Sequence, residues 1–339
     1  MSEFRIDQIT NQSGSRGPDI AGITTFTGTS GMVMPSGPTE YRGGRGRGVW
    51  AGGYTPTHVN TMDYVTIAST GNASDFGDLT QIRVNLSSCS SSTRGIFASG
   101  VTPVAPNRTN IIDYITISST GNAFDFGDLF TGRYGNGSLS SSIRAIFGGG
   151  KDTNSINLSS IELITIATLG NASSFGDLTQ ARAYVGGCSS STRGIFAGGG
   201  TPTRLKTIDY VTISTTGDAQ DFGDLTLSRW GPAGCSSNVR GLFGGGDTPT
   251  VTNTIDYITI ASLGDAIDFG DLTSAKGFYG TSACSSQTHG LWAGGPSPYT
   301  NAIDFVTITS TGDATDFGDL TQARQALAAC SDAHGGLGD

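Results

Sequence analysis

The sequence predicts an all-β fold: a six-bladed β-propeller of four-stranded antiparallel blades, closed by its C-terminal strand and preceded by an extended N-terminal leader. Three observations predict it. The stretch Asp75-Phe76-Gly77-Asp78-Leu79 recurs, with its phenylalanine at positions 76, 126, 175, 222, 269 and 317, in steps of 50, 49, 47, 47 and 48 residues. A period near 50 with strand-like content marks units that cannot bury their own faces and must stack on neighbours. Each unit also holds four strand-like segments and no stretch suited to a helix. Finally, the first unit lacks one segment that the last unit has in excess, so the two ends can complete one blade and leave no open sheet edge.

The elements follow in order. Residues 1–46 form a polar leader rich in Gly, Ser and Thr, too poor in large apolar residues to build a core. It reads either as a disordered tail or as an anchor that becomes ordered along a partner. In the second case Phe4, Ile6, Ile9, Ile23, Phe26 and Met34 are spaced like pegs on an extended strand. Residues 47–339 form the propeller. In one unit, Ala181 to Ser189 is a strand of small residues and Ser190-Ser191-Thr192 is a turn. Arg193-Gly194-Ile195-Phe196-Ala197-Gly198-Gly199 is an apolar strand closed by glycines. After a variable loop, Ile208-Asp209-Tyr210-Val211-Thr212-Ile213 is a β-branched and aromatic strand. Turn chemistry at 214–219 leads to Asp221-Phe222-Gly223-Asp224-Leu225 and a short run to Arg229. The last unit's spare strand is 323–331.

Five cysteines, Cys89, Cys188, Cys235, Cys284 and Cys330, share one repeat position, and Leu139 fills it in the remaining unit. A slot that accepts Cys or Leu is a packed apolar slot, and the free thiols suit a reducing cytoplasm. The strand acids Asp63, Asp113, Glu162, Asp209, Asp256 and Asp304 recur once per blade. So do Arg47, Arg94, Arg144, Arg193 and Arg240. Buried carboxylates need partners, so the expectation is that these two sets pair.

Charged residues make up 14% of the chain and the net charge is −9. This argues against nucleic acid, which needs a basic face, and gives no support for an anionic membrane surface. The acids around Gly264-Asp265-Ala266-Ile267-Asp268 lack the spacing and terminal Glu of a calcium loop, and Asn72, Asn122 and Asn171 replace the first acid elsewhere; they read as turns and strand-end caps. The only histidines are His58, His289 and His334, and no nucleophile–base–orienter set stands out. The expectation is a protein without enzymatic activity, cofactor or metal.

What varies between units is the loop after each Gly-Gly (54–60, 101–110, 151–159, 200–206, 247–253 and 296–301) and the entry to each small-residue strand. Tyr134, Tyr184, Trp230, Phe278 and Tyr279 occupy the entries, and Arg108 and Arg204 lie in the loops. Such residues suit a sugar or protein ligand, unless they are ordinary loop drift.

Two resemblances add to this. The order of features in each unit resembles the kelch repeat: an arginine opening one strand, Gly-Gly closing it, an acidic residue and Tyr in the next, an aromatic in the last. Here the Phe of Phe-Gly-Asp-Leu stands where kelch has Trp. The resemblance implies a propeller whose C-terminal strand lies innermost in its blade, with the variable loops and strand entries on one face. It says little about function. The leader runs Phe4-Arg5-Ile6-Asp7-Gln8-Ile9-Thr10-Asn11-Gln12-Ser13-Gly14, with Gly22-Ile23-Thr24-Thr25-Phe26 and Met34-Pro35-Ser36-Gly37 following. It is similar to the leader of structural and fibre-like virion proteins of tailed phages that infect cyanobacteria. That implies a virion protein made in the host cytoplasm, present in several copies per particle. The leader would attach to other virion proteins, and the propeller would bind a host-surface glycan or protein as a tail or fibre appendage. The alternatives are a structural capsid or tail decoration and an intracellular kelch-like adaptor.

Overall fold

The structure, a computed structural model, describes residues 46–338 except Pro106, 278–281 and 296–297. The chain divides after Glu40, and the fold belongs to the second unit, Tyr41–Asp339. The leader residues Phe4, Ile6, Ile9, Ile23, Phe26 and Met34, and the entry residues Phe278 and Tyr279, lie outside the described residues.

Six four-stranded antiparallel sheets form a ring, a β-propeller. In the second blade the strands run Ser87–Ser90, Arg94–Ala98, Ile111–Thr116 and Phe124–Asp128 from the axis outward. The first blade is assembled from both parts of the chain. Its inner strand is Ala328–Ser331, paired to Arg47–Ala51 with Val49 opposite Cys330. The expected closure by the C-terminal strand is therefore present, with that strand innermost. The small-residue strand is shorter than the sequence suggests: Gly186–Ser189 in the fourth blade, because residues before it bend over the rim.

Repeat residues hold the blades together in three layers. At the outer edge, the register slips between Met62 and Asp63, leaving Phe76 unopposed. This bulge turns Phe76 inward against Tyr64, ring centres 5.8 Å apart. Gly77 follows with φ 140°, and a Cβ there would lie 2.5 Å from the Gly121 carbonyl of the next blade. That close approach lets Asp78 N–H donate to Asn122 Oδ1 at 3.0 Å and Ala123 N–H to Asp78 O at 2.8 Å. Asn72, Asn171, Asp218, Asp265 and Asp313 accept equivalent bonds. These turn Asn and Asp side chains thus clasp the preceding blade.

In the middle layer each strand acid holds a buried cation, though not the expected one. Asp209 pairs with Arg182 at 3.0 Å, Asp113 with Arg83 at 2.8 Å, Asp256 with Arg229 at 2.9 Å, Asp304 with Lys276 at 3.2 Å and Asp63 with Arg324 at 3.0 Å; Glu162 pairs with Arg133. The cation lies in the segment that enters the acid's own blade. Arg47, Arg94, Arg144, Arg193 and Arg240 cannot reach these acids, for reasons of parity. Arg193 stands opposite Thr212, so Asp209, three residues away, points to the other face of the sheet. Arg193 instead lies over Tyr210, 4.6 Å from its centre, and donates to Ile260 O of the next blade at 2.8 Å. Thr179 adds its hydroxyl to Asp209 at 2.8 Å. Where Phe130 replaces that threonine, the acid is the longer Glu162, which accepts Phe130 N–H at 2.8 Å.

Near the axis, the cysteines are buried free thiols, as the packed slot predicts. They face the small residue that follows the first residue of the second strand in the next blade; that first residue is an arginine in five blades and His289 in the sixth. A Cβ at Gly95 would meet Cys330 Sγ at 2.9 Å, and one at Gly241 would meet Cys188 Sγ at 2.7 Å. Leu139 fills the slot against Gly194. Burial pushes the Cys188 thiol well above its ordinary pKa, so it stays protonated and inert.

Candidate functional site

The inner strands surround a cavity of about 180 Å³, and its two ends are built differently. At the lower end the serine after each cysteine slot closes a circle. Ser140 Oγ donates to Ser90 O at 2.8 Å, Ser189 Oγ to Ser140 O at 2.7 Å, Ser236 Oγ to Ser189 O at 2.7 Å and Ser285 Oγ to Ser236 O at 2.7 Å. Ser331 Oγ donates to Ser285 O, and Ser90 Oγ returns to Ser331 O at 2.6 Å. Inner strands are sheet edges with unpaired backbone groups. The belt satisfies one carbonyl of each, and Ser140 Oγ also accepts Ser90 N–H at 3.1 Å.

The C-terminal segment then folds across this end. His334 Nε2 donates to Ser90 O at 2.9 Å, while Nδ1 accepts Gly336 N–H at 3.1 Å. Gln287 Nε2 donates to His334 O at 3.1 Å. Gly336 lies so close to the belt that a Cβ would strike Ser140 O. Burial lowers the His334 pKa to about 4, so the ring is neutral. Asp332 beside it accepts Arg47 N–H at 2.7 Å, and burial raises its carboxyl to about 6.

The upper end is the mouth. Entry segments and variable loops meet there, on one face, because in each blade the second strand leaves and the next inner strand enters at that side. Short two-residue ladders fix them: Arg133–Tyr134 with Lys151–Asp152, and Gly200–Thr201 with Thr203–Arg204. Trp230 bridges Asp247. The structure brings three of the expected entry aromatics into one arc. Tyr134 and Tyr184 ring centres are 5.8 Å apart, and Tyr184 and Trp230 are 6.3 Å apart. A cation from the loop of the preceding blade lies over each. Arg108 is 5.0 Å from the Tyr134 centre, Lys151 is 5.9 Å from Tyr184, and Arg204 is 4.5 Å from Trp230. Arg108 also donates to Ser155 Oγ at 3.0 Å, and Arg204 to Asp247 Oδ2 at 3.0 Å.

Tyr184 occupies a position unlike its two neighbours. Tyr134 and Trp230 directly follow the buried arginine, whereas Tyr184 is one residue further on, where four of the other blades place Asn85, Gly135, Gly231 and Ala326 and the sixth has Phe278 in its sequence. That position is left-handed, with φ 58° at Tyr184. A bulky residue there is strained by about 1–2 kcal/mol, and strain of this kind gathers at binding sites. On the opposite side of the mouth, Tyr54 meets His58 at 5.5 Å and Tyr299 at 6.0 Å.

Sequence reasoning named the loops but not Lys151, Tyr54 or Tyr299 as members of the mouth. Nothing in their spacing singles them out. It also passed over the serine belt, although Ser90, Ser140, Ser189, Ser236, Ser285 and Ser331 occur at one position in every unit. No family model matches the chain, and no curated protein sequence matches it.

Proposed function

We propose that this is a non-enzymatic virion protein of a tailed phage, attached to the particle by its leader, with a kelch-like propeller displayed to bind the host surface through the mouth. The observation that carries the binding role is the arc of Tyr134, Tyr184 and Trp230, each covered by a cation of the preceding blade. These residues lie in the variable parts of the repeat, outside everything the six copies need for packing. Half-exposed aromatics and pre-positioned cations at a concave mouth are what a recognition surface requires. The virion role is supported by the leader's similarity to phage fibre-like leaders and by nothing in the propeller.

The test has two parts. Purified particles should contain the chain, and deletion of residues 1–40 should remove it from them. The labelled full chain should bind intact host cells saturably and compete with phage adsorption. Trp230→Ala and Tyr134→Ala should lose binding while keeping the native melting temperature. Incorporation without cell binding would make the propeller a structural decoration; no incorporation would leave an intracellular adaptor.

A further inference from the structure

We infer that the mouth takes an acidic polysaccharide, a linear chain carrying carboxylates or sulfates at intervals, laid along the arc from Arg108 to Arg204. This rests on the mouth being the binding surface and names its ligand.

Of 19 Lys and Arg residues, Arg5, Arg16, Arg42 and Arg45 precede the described residues, which leaves fifteen. Six are buried against the strand acids. Five more, Arg47, Arg94, Arg144, Arg193 and Arg240, donate to a carbonyl of the next blade. The architecture therefore consumes eleven. The remaining four, Arg108, Lys151, Arg204 and Lys206, all lie in the loops of three consecutive blades at the mouth. In a chain of net charge −9, this sector holds every Lys and Arg among the described residues that blade packing does not use; Lys206 pairs with Asp224 at 2.9 Å and Arg204 with Asp247 at 3.0 Å, which leaves Arg108 and Lys151 without a carboxylate partner among the described residues.

The geometry favours a chain with repeated charge. The same step, a loop cation over the next blade's ring, occurs three times in succession. Stacking fixes each cation's direction and reduces the ordering cost of binding. It also covers one face of each ring, which leaves less ring surface on which a neutral sugar could stack. Arg204 directs Nε and Nη2 to Asp247, which leaves Nη1 as its donor to a ligand. Peptide addition by strand pairing is disfavoured, because the rim's backbone groups are already paired. Gly200 N–H donates to Ala183 O at 2.9 Å, and Asp247 N–H donates to Trp230 O at 2.9 Å. Recognition falls to side chains, among them the amide of Asn157 and the hydroxyl of Ser155.

The experiment is affinity electrophoresis of the full chain in gels containing alginate, dextran sulfate or neutral dextran. The acidic net charge suppresses unspecific attraction to polyanions, so retardation reports a local site. Alginate or dextran sulfate should retard the protein and dextran should not. The combined Arg108→Gln, Lys151→Gln, Arg204→Gln variant should bind about 30-fold or more weakly, since each charged hydrogen bond is worth roughly tenfold. Should that variant melt early, Lys151→Gln alone carries the test, because backbone pairing to Tyr134 holds its hairpin; about fivefold loss is expected. Equal retardation of wild type and variants would overturn the proposal. So would binding to dextran alone, which would keep the mouth as a glycan site. If no polymer retards the protein yet cell attachment depends on Trp230, the acidic ligand fails and the binding role stands. If attachment is also indifferent to Trp230 and Tyr134, both fail.

Discussion

The lower end of the central cavity and its mouth are made from the same six repeats and follow opposite rules. Below, one residue type fills one position in every blade, each serine hydroxyl donates to a carbonyl of the adjacent blade, and the C-terminal segment covers the end. Above, the six blades place Val84, Tyr134, Ala183, Trp230, Gly277 and Gln325 at one position, and among the described residues three sectors carry stacked cations. The repeated lower end holds the ring together, and the mouth is where residues can change without unfolding it.

The sharpest way to break that division is to cut a buried ion pair. Asp209→Ala leaves Arg182 buried without its carboxylate and should cost about 3–5 kcal/mol. Arg182→Met should cost a similar amount, and the double variant much less than their sum. Guanidinium unfolding checks this; additive losses would show that the pair does not act as a unit. The serine belt should be next. Ser236→Ala removes the donor to Ser189 O and the acceptor facing Ser189 N–H, both at a buried edge, and should cost about 1–2 kcal/mol.

A further effect comes from pH. The unfolded chain protonates His334 near its ordinary pKa of 6.5, the folded chain only near 4. Acidification through that window therefore favours unfolding. Asp332 opposes it, since the folded carboxyl takes up its proton near 6 and the unfolded one near 3.8. Asp332→Asn removes the opposing group, so stability should then fall by about 2–3 kcal/mol between pH 6.5 and 4. His334→Gln added to it should flatten the slope. The smallest stability change belongs to the mouth. Tyr184→Asn relieves left-handed strain and gives up ring contacts, effects of similar size, so stability should move by less than about 1 kcal/mol while cell attachment drops. A large loss of stability would mean that the mouth, too, is part of the scaffold.

Much of the blade packing was legible in the sequence, because packing repeats itself and repetition is visible, although the serine belt, which repeats as strictly, was passed over. The six Phe-Gly-Asp-Leu copies, the shared cysteine slot and the spare C-terminal strand led to the blade count and the closure. The ion pairs were half legible. That the acids needed cations followed from burial, but choosing Arg193 for Asp209 ignored strand parity, and the true partner, Arg182, lay in a segment that looked like the start of a strand. The mouth was legible only as a list of variable positions. That Arg108 lies over Tyr134, and Lys151 over Tyr184, depends on how one blade's loop overhangs the next, which no spacing in a single repeat encodes. The one-residue offset of Tyr184 was likewise invisible until its backbone conformation was known.

The pairing of Ala328–Ser331 with Arg47–Ala51 also sets a clock. The chain is made from its N-terminus, so the first blade emerges with three strands and an open edge. It must wait for a partner translated some 280 residues later. At roughly 5–20 residues per second, that is about a quarter of a minute to a minute. Throughout that interval Gly48 to Ala51 present a free edge to any other nascent copy. Ring closure, and with it the serine belt and the cover at His334, waits until Ala328–Ser331 has been made, and a ribosome that stalls in the sixth blade leaves an open arc rather than a smaller ring.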